Sequence, residues 1–297
     1  MQRRTLLQML ACVGAGGARA AEQSRPARRI ARPDLTWAVF YGEDIAPERL
    51  AGYDVIVLDA GFKGDVGQIV RQGKDLLCYL SLGEIKRSSP WFGGLENSGV
   101  LLRENPSWPD TFVCDVRQRS WSALILEHAV PAIAARGFKG IFFDTLDTPP
   151  HLEQVDPDRY AGMRLAAIDL VRAIRRAFPD LILLMNRGYA LLPELRSEID
   201  GVVAESLLTT FDFGAKQYKW VEPDQLIYHM QALDGLRTEP PTVPILSLDY
   251  WDAADEATIR EIYARERDLD HRPFVSEVLL DRLIPEPPPC PCRPAEE

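Results

Sequence analysis

Gly140-Ile141-Phe142-Phe143-Asp144, a helical stretch from Asp158 to Ala177, and Leu181-Ile182-Leu183-Leu184-Met185-Asn186 together set the reading of the whole chain. Both flanking runs are continuously apolar instead of alternating, the pattern of strands buried on both faces of a parallel sheet. Between them Leu165, Ile168, Val171 and Ile174 recur at helical spacing and predict one apolar face, and Pro179 stops the helix. The same unit repeats outward in both directions. Trp37 to Tyr41, Asp54 to Asp59 and Leu76 to Leu82 read as strands before it, and Gly201 to Glu205, Val243 to Asp249 and Arg272 to Glu277 after it. Further helices are predicted from Ser120 to Ala135, with Trp121, Leu124, Ile125 and Ile133 inward and a kink at Pro131, and from Ala253 to Leu269, which starts with acidic residues. Eight β/α units in a body of about 265 residues predict an α/β fold, a single-domain (β/α)8 TIM barrel. An open doubly wound sheet fits less well, because no Gly-rich turn follows the first strand.

The composition, 46% hydrophobic and 26% charged, is that of a globular chain and excludes a disordered or polytopic membrane protein. The net charge of -10 argues against nucleic acid as a partner. Residues 1–32 hold seven Arg and one Glu, so the rest carries 27 basic and 43 acidic side chains. Such a body attracts cations, including polymers that bear amines.

The N-terminus reads as an address. Arg3 and Arg4, an apolar run from Leu6 to Ala18 and Ala18-Arg19-Ala20 predict an export signal over residues 1–21, by the general or the twin-arginine route. The apolar run is too short to span a bilayer, so no integral membrane segment is expected after its removal. Residues 22–33 predict a flexible leader, residues 34–284 the barrel, and residues 285–297 a Pro-rich disordered tail. A periplasmic or secreted monomer is the resulting expectation. Cys78 and Cys114 lie in apolar runs and read as buried small hydrophobes. Neither the cysteines nor the four histidines show metal-ligand spacing, so no metal and no cofactor are expected.

The informative residues end the strands, where a barrel builds its active site. In order they are Tyr41, Asp59, Glu84, Asp144, Asn186, Glu205 and Asp249-Tyr250. Any one carboxylate at such a place can simply cap the next helix. Five crowded at one pole repel one another and must be stabilised, which chemistry would justify. Glycoside hydrolysis needs paired carboxylates with separated pKa values and no metal. Trp91, Phe92, Trp108, Tyr189, Tyr250 and Trp251 add aromatic surface near the rim, on which sugar rings stack.

Several blocks carry a family resemblance. Tyr79-Leu80-Ser81-Leu82-Gly83-Glu84 with Arg87, Asp115-Val116-Arg117 with Trp121, Gly137-Phe138-Lys139-Gly140-Ile141-Phe142-Phe143-Asp144-Thr145-Leu146-Asp147, Ala204-Glu205-Ser206 and Ser247-Leu248-Asp249-Tyr250-Trp251 resemble the motifs of glycoside hydrolase family 114, the endo-α-1,4-polygalactosaminidase-like barrels. The resemblance spans residues 35–284. It implies an exported hydrolase of α-1,4-linked, partly N-acetylated galactosamine polymers, with the catalytic pair on Asp144 and Glu205. By analogy with other barrels Asp144 is the nucleophile and Glu205 the general acid/base. Tyr41, Asp59, Glu84, Asn186, Asp249 and Tyr250 would shape the substrate-binding subsite. The first strand, Trp37-Ala38-Val39-Phe40-Tyr41-Gly42, departs from the Trp- and Gln-rich start of the best-matching members. The competing reading is a non-catalytic barrel that binds amino-sugar polysaccharide at the cell surface; it would need neither Asp144 nor Glu205.

Overall fold

A computed structural model describes residues 30–288. Eight parallel strands form one sheet in sequence order: β1 Trp37–Phe40, β2 Val55–Leu58, β3 Asp75–Ser81, β4 Gly140–Asp144, β5 Ile182–Asn186, β6 Gly201–Glu205, β7 Ile245–Tyr250 and β8 Arg272–Ser276. The registers are unbroken from Trp37 opposite Val55 to Tyr250 opposite Ser276. Between β8 and β1 the ring is completed by side chains. Trp37 Nε1 donates 2.8 Å to the carbonyl of Arg272, and the indole packs edge-on against Phe274 at 5.9 Å. Curling the first strand against the last excludes the open doubly wound alternative.

The strands are buried along almost their entire length, as their continuous apolar runs require. Helices cover the ring unevenly: α1 Val66–Arg71, α2 Arg119–Leu124, α3 Val130–Ala135, α4 Thr148–Val155, α5 Met163–Ala177, α6 Pro223–Thr238 and α7 Glu256–Asp268. Only a 3-10 turn, Pro47–Leu50, separates β1 from β2. A wide π turn, Ile125–Ala129, separates α2 from α3 just before Pro131. The proline has no N–H and its ring crowds the preceding turn, which widens to make room.

Four differences from the sequence reading have physical causes. The helix expected from Asp158 onward breaks at Gly162, which takes a left-handed φ of 84° open to glycine, so α5 starts at Met163. Leu165 is 58% exposed because a strict three-residue spacing drifts around a helix of 3.6 residues per turn; Met163, Ala167 and Leu170 join Ile168, Val171 and Ile174 in the core instead. The leader does not reach residue 33: Ile30 is fully buried in the core, and the carbonyl of Arg32 accepts from Arg272 Nε. At the other end Glu286 pairs with Arg267, so the first tail residues are held against α7. The export signal, Cys12, Cys290 and Cys292 lie outside the described residues.

Two insertions rise from the carboxyl ends of the barrel strands. After β3 comes a three-stranded antiparallel sheet, Leu101–Glu104 and Glu84–Lys86 flanking Thr111–Cys114. After β6 comes a hairpin, Thr209–Asp212 paired with Gln217–Trp220. Gly83 starts the first insertion where the chain passes closest to β4, since a Cβ there would meet the carbonyl oxygen of Thr145 at 2.5 Å.

Candidate active site

Side chains alternate along a strand, so a residue at a strand's carboxyl end points into the ring or away from it. Tyr79 on β3, Asp144 on β4, Asn186 on β5, Glu205 on β6 and Tyr250 on β7 point inward and meet. Asn186 Nδ2 donates 3.0 Å to Asp144 Oδ1 and 2.5 Å to Glu205 Oε2. Tyr79 Oη donates 2.8 Å to the other oxygen of Asp144, and Tyr250 Oη donates 2.5 Å to the other oxygen of Glu205. The primary amide has two hydrogens, and each serves one carboxylate. The two acids therefore stand no further apart than two hydrogen bonds laid end to end. Both remain partly open to solvent, and among the described residues neither forms an ion pair with Arg or Lys.

The backbone is unusual at the same place. Thr145, Arg187 and Ser206, which directly follow Asp144, Asn186 and Glu205, all adopt left-handed φ values of 62°, 49° and 53°. Such a backbone costs a side-chain-bearing residue on the order of 1–3 kcal/mol and is held by its surroundings. Here the holding bonds are Leu82 N to the Asp144 carbonyl, Arg187 N to the Val203 carbonyl and Ser206 N to the Leu248 carbonyl. Thr145 Oγ1 also accepts from Gly83 N at 2.8 Å. Three adjacent strands thus turn sharply just after the residue they deliver.

Electrostatics separates the groups. Burial raises the Glu205 carboxyl above the usual range, the nearby Asp144 raises it further, and the bonds from Tyr250 and Asn186 offset part of the rise. Burial and the same acids hold the Tyr41, Tyr79 and Tyr250 phenols well above their ordinary value, so all three stay neutral donors. Tyr41 packs edge-on against Tyr79 at 5.2 Å.

The remaining strand-end residues lie at different distances from this centre. Asp59 caps its own turn by accepting 2.6 Å from Gly61 N and acts on the Tyr41 hydroxyl through its charge. Glu84 stands beyond the end of β3, buried, accepting 2.9 Å from Asn105 Nδ2; burial raises its pKa and the Asp144 charge adds to that. Asp249 does not join the cluster. It is the neighbour of Tyr250, so it faces the outer side of β7, where Oδ1 accepts 2.8 Å from Leu208 N and 2.7 Å from Thr209 N. Burial holds it well above the usual carboxylate range, with Glu266 of α7 adding to the effect. Asp249 anchors the root of the β6 insertion, and its 1% exposure leaves no surface for a ligand.

The aromatic residues divide in the same way. Phe92 and Tyr189 are core residues, Phe92 against Phe112 and Tyr189 with its hydroxyl on His229 Nδ1. Trp91 is partly buried, and Trp251 donates to Asp255 Oδ2 and packs against Tyr218 and Trp220. Trp108 is half exposed. Sequence reasoning gave no role to Tyr79, which sits two residues before the end of β3 and hence faces the same side as Ser81. It also passed over Arg187, which pairs with Asp147 at 3.2 Å and whose charge reaches Glu205. Among the described residues no group of three or more His, Cys, Asp or Glu is arranged to hold a metal. A cavity of about 610 Å³ lies at the opposite pole beside the β1–β8 seam, lined by Trp37, Tyr53, Tyr263 and Arg272 and by none of the strand-end acids or phenols.

A parallel barrel with a ring of acids and phenols at its carboxyl pole has the architecture of the (β/α)8-barrel enzymes. The profile of Glycoside-hydrolase family GH114 matches residues 18–285, and the chain belongs to that family. The chain is similar to the glycoside hydrolase domain of PelA from Pseudomonas aeruginosa, with 31% identity and a TM-score of 0.75 over 84% of this chain and 96% of that one. It shares its fold with Aspergillus fumigatus Ega3, solved in complex with galactosamine, at 12% identity and a TM-score of 0.63 over 84% of this chain and 94% of that one. Among curated proteins none matches the chain. The protein is a glycoside hydrolase, which sets aside the binding-only reading. No helix among the described residues is long and apolar enough to cross a membrane.

Proposed function

We propose that this enzyme cleaves α-1,4-linked galactosamine polymers, partly N-acetylated ones included, with Glu205 as general acid/base and Asp144 as nucleophile. The observation that carries the proposal is the single amide of Asn186 shared by the two carboxylates. Enzymes that retain anomeric configuration hold their carboxyl groups roughly 5–5.5 Å apart, closer than inverting ones, and one donor shared by both acids favours the shorter spacing. In the first step protonated Glu205 gives its proton to the glycosidic oxygen as Asp144 attacks the anomeric carbon. The carbon–oxygen bond to the leaving sugar breaks and a glycosyl ester forms on Asp144. Water then attacks the same carbon and yields its proton to Glu205, which restores both groups. The raised pKa of Glu205 suits the proton-donating role.

The substrate class rests on the motif blocks described above and on the acidic body, which attracts a polymer carrying free amines. Tyr41, Tyr79, Tyr250 and Asn186 would frame the sugar at the cleaved bond, with Glu84 and Asp59 further out. The export signal would deliver the enzyme to the periplasm or beyond.

The test is digestion of a panel of galactosamine and glucosamine polymers followed by mass spectrometry, with NMR of the first-formed anomer. Galactosamine polymers should yield oligosaccharides of retained configuration. Asp144→Asn and Glu205→Gln should each lose several orders of magnitude in kcat while keeping the thermal transition of a folded barrel. Full activity in either variant would refute the assignment.

A further inference from the structure

Six aromatic rings form one continuous chain at the carboxyl pole. Trp108 meets Phe213 edge-on with centroids 5.5 Å apart, and Phe213 meets Phe211 at 5.2 Å. Phe211 meets Tyr218 at 5.0 Å, Tyr218 meets Trp251 at 6.2 Å, and Trp251 meets Trp220 at 6.0 Å. The chain is tied to the acids through the turn that holds Trp108: Asn105, whose carbonyl accepts from Trp108 N, donates to Glu84, on which the Asp144 charge acts. The outer end is open to solvent: Trp108 is 49% and Phe213 54% exposed.

These two residues come from different insertions. Trp108 lies in the turn between Leu101–Glu104 and Thr111–Cys114, and Phe213 in the turn of the hairpin after β6. Their parent strands, β3 and β6, stand three places apart in a ring of eight. The contact therefore links two insertions that leave the carboxyl ends of the strands on either side of β4 and β5, which carry Asp144 and Asn186. Both turns are fastened in place. Asp212 Oδ1 accepts from Gly214 N and Ala215 N, while its other oxygen pairs with Lys219 at 2.9 Å. Asn105 Oδ1 accepts from Ser107 N, and its amide donates to Glu84. A rigid, exposed aromatic pair at the pole that carries the acids contributes little to the core, and large rings so displayed mark a binding surface.

We propose that Trp108 and Phe213 form an outlying sugar subsite that takes a pyranose ring of the polymer outside the acid pocket. This deepens the function proposed above and rests on it. The ring's C–H face lies against the aromatic surface. A galactosamine unit adds an ammonium group, which the face of an indole attracts within about 6 Å. An N-acetylated unit lacks that charge and keeps only the stacking, so the subsite selects deacetylated units along the chain.

The experiment compares the full-length wild type with Trp108→Ala, Phe213→Ala and the double variant. It measures calorimetric affinity for a long partly deacetylated α-1,4-galactosamine polymer, and KM on that polymer and on a trisaccharide. Leu165→Ala, an exposed apolar residue on α5 far from the pole, is the control. The double variant should bind the polymer about fivefold more weakly or worse, with KM rising more on the polymer than on the trisaccharide. The loss should shrink on a fully N-acetylated polymer. Unchanged affinity and KM in the double variant overturn the subsite, as do equal losses on polymer and trisaccharide, which would report a purely structural bridge. A self-association lost in the double variant with polymer binding intact would assign the pair to a second copy of the chain and overturn it as well. A wild type that binds polymer through Trp108 yet releases no reducing ends refutes the proposed cleavage of this polymer and leaves the subsite standing. A wild type that does not bind polymer overturns both.

Discussion

Asp144 and Glu205 are joined through a third side chain: the Nδ2 atom of Asn186 lies 3.0 Å from an oxygen of the first and 2.5 Å from an oxygen of the second. Two carboxylates this close repel when both are ionised, and a donor between them lowers that repulsion without supplying a charge of its own. The amide also fixes their separation, because moving either acid away stretches its bond. The phenols of Tyr79 and Tyr250 close the arrangement from the outer sides.

Removing the shared donor should therefore harm turnover more than binding. Asn186→Ala is expected to reduce kcat by about 10²–10³-fold, the loss typical of one preorganised donor at a reacting centre. Steady-state kinetics on a soluble oligosaccharide checks this, and a variant that mainly raised KM would place Asn186 in substrate binding alone.

Tyr250→Phe tests the electrostatics. The hydroxyl stabilises ionised Glu205, so its loss leaves the carboxyl protonated to higher pH. If Glu205 is the acid, the basic limb of kcat/KM, which reports loss of its proton, should move to higher pH. A limb that stayed fixed or moved down would take the acid role away from Glu205.

Arg175 on α5 and Asp200 before β6 form a buried ion pair at 2.6 Å. The same guanidinium donates to the carbonyls of Glu198 and Leu181, and Asp200 accepts from Leu183 N. Arg175→Met strands a buried carboxylate and should cost about 3–5 kcal/mol in urea unfolding. The pair sits at the amino-terminal pole, so kcat of the variant still folded should match wild type.

Salt gives a fourth test. An acidic surface concentrates a cationic polymer over a range set by the Debye length, about 10 Å at 0.1 M ionic strength. KM for deacetylated polymer should climb between 0.02 and 0.5 M NaCl, whereas kcat and the KM for an N-acetylated oligomer stay level. Those concentrations bracket roughly the range over which screening sets in. A KM indifferent to salt would remove charge from the account of substrate capture.

Much of the barrel was legible because buried parallel strands announce themselves as unbroken apolar runs. Gly140–Asp144 and Gly201–Glu205 fall where their residues place them. Direction at the end of a strand was not legible. Asp249 and Tyr250 are both plausible site residues in sequence, yet the two-residue period sends one to the outer face and the other to Glu205. The inserted sheet after β3 and the hairpin after β6 were missed for a related reason: short partly exposed strands such as Thr209–Asp212 lack the apolar continuity of the barrel. Leu165 shows the limit for helices: spaced by threes from Ile168, Val171 and Ile174, it ends on the side of the helix opposite Ile174.

The seam between Trp37 and Arg272 has a consequence for how the molecule is made. The residues it joins are 235 positions apart. A chain emerging from the ribosome lays down seven strands in order, yet the outer edge of β1 stays uncovered until the eighth brings Arg272 and Phe274 against Trp37. Unpaired edges are templates for strands of other molecules. The eighth strand therefore shields an edge left by the first, and a chain cut short ahead of Phe274 would keep that edge bare.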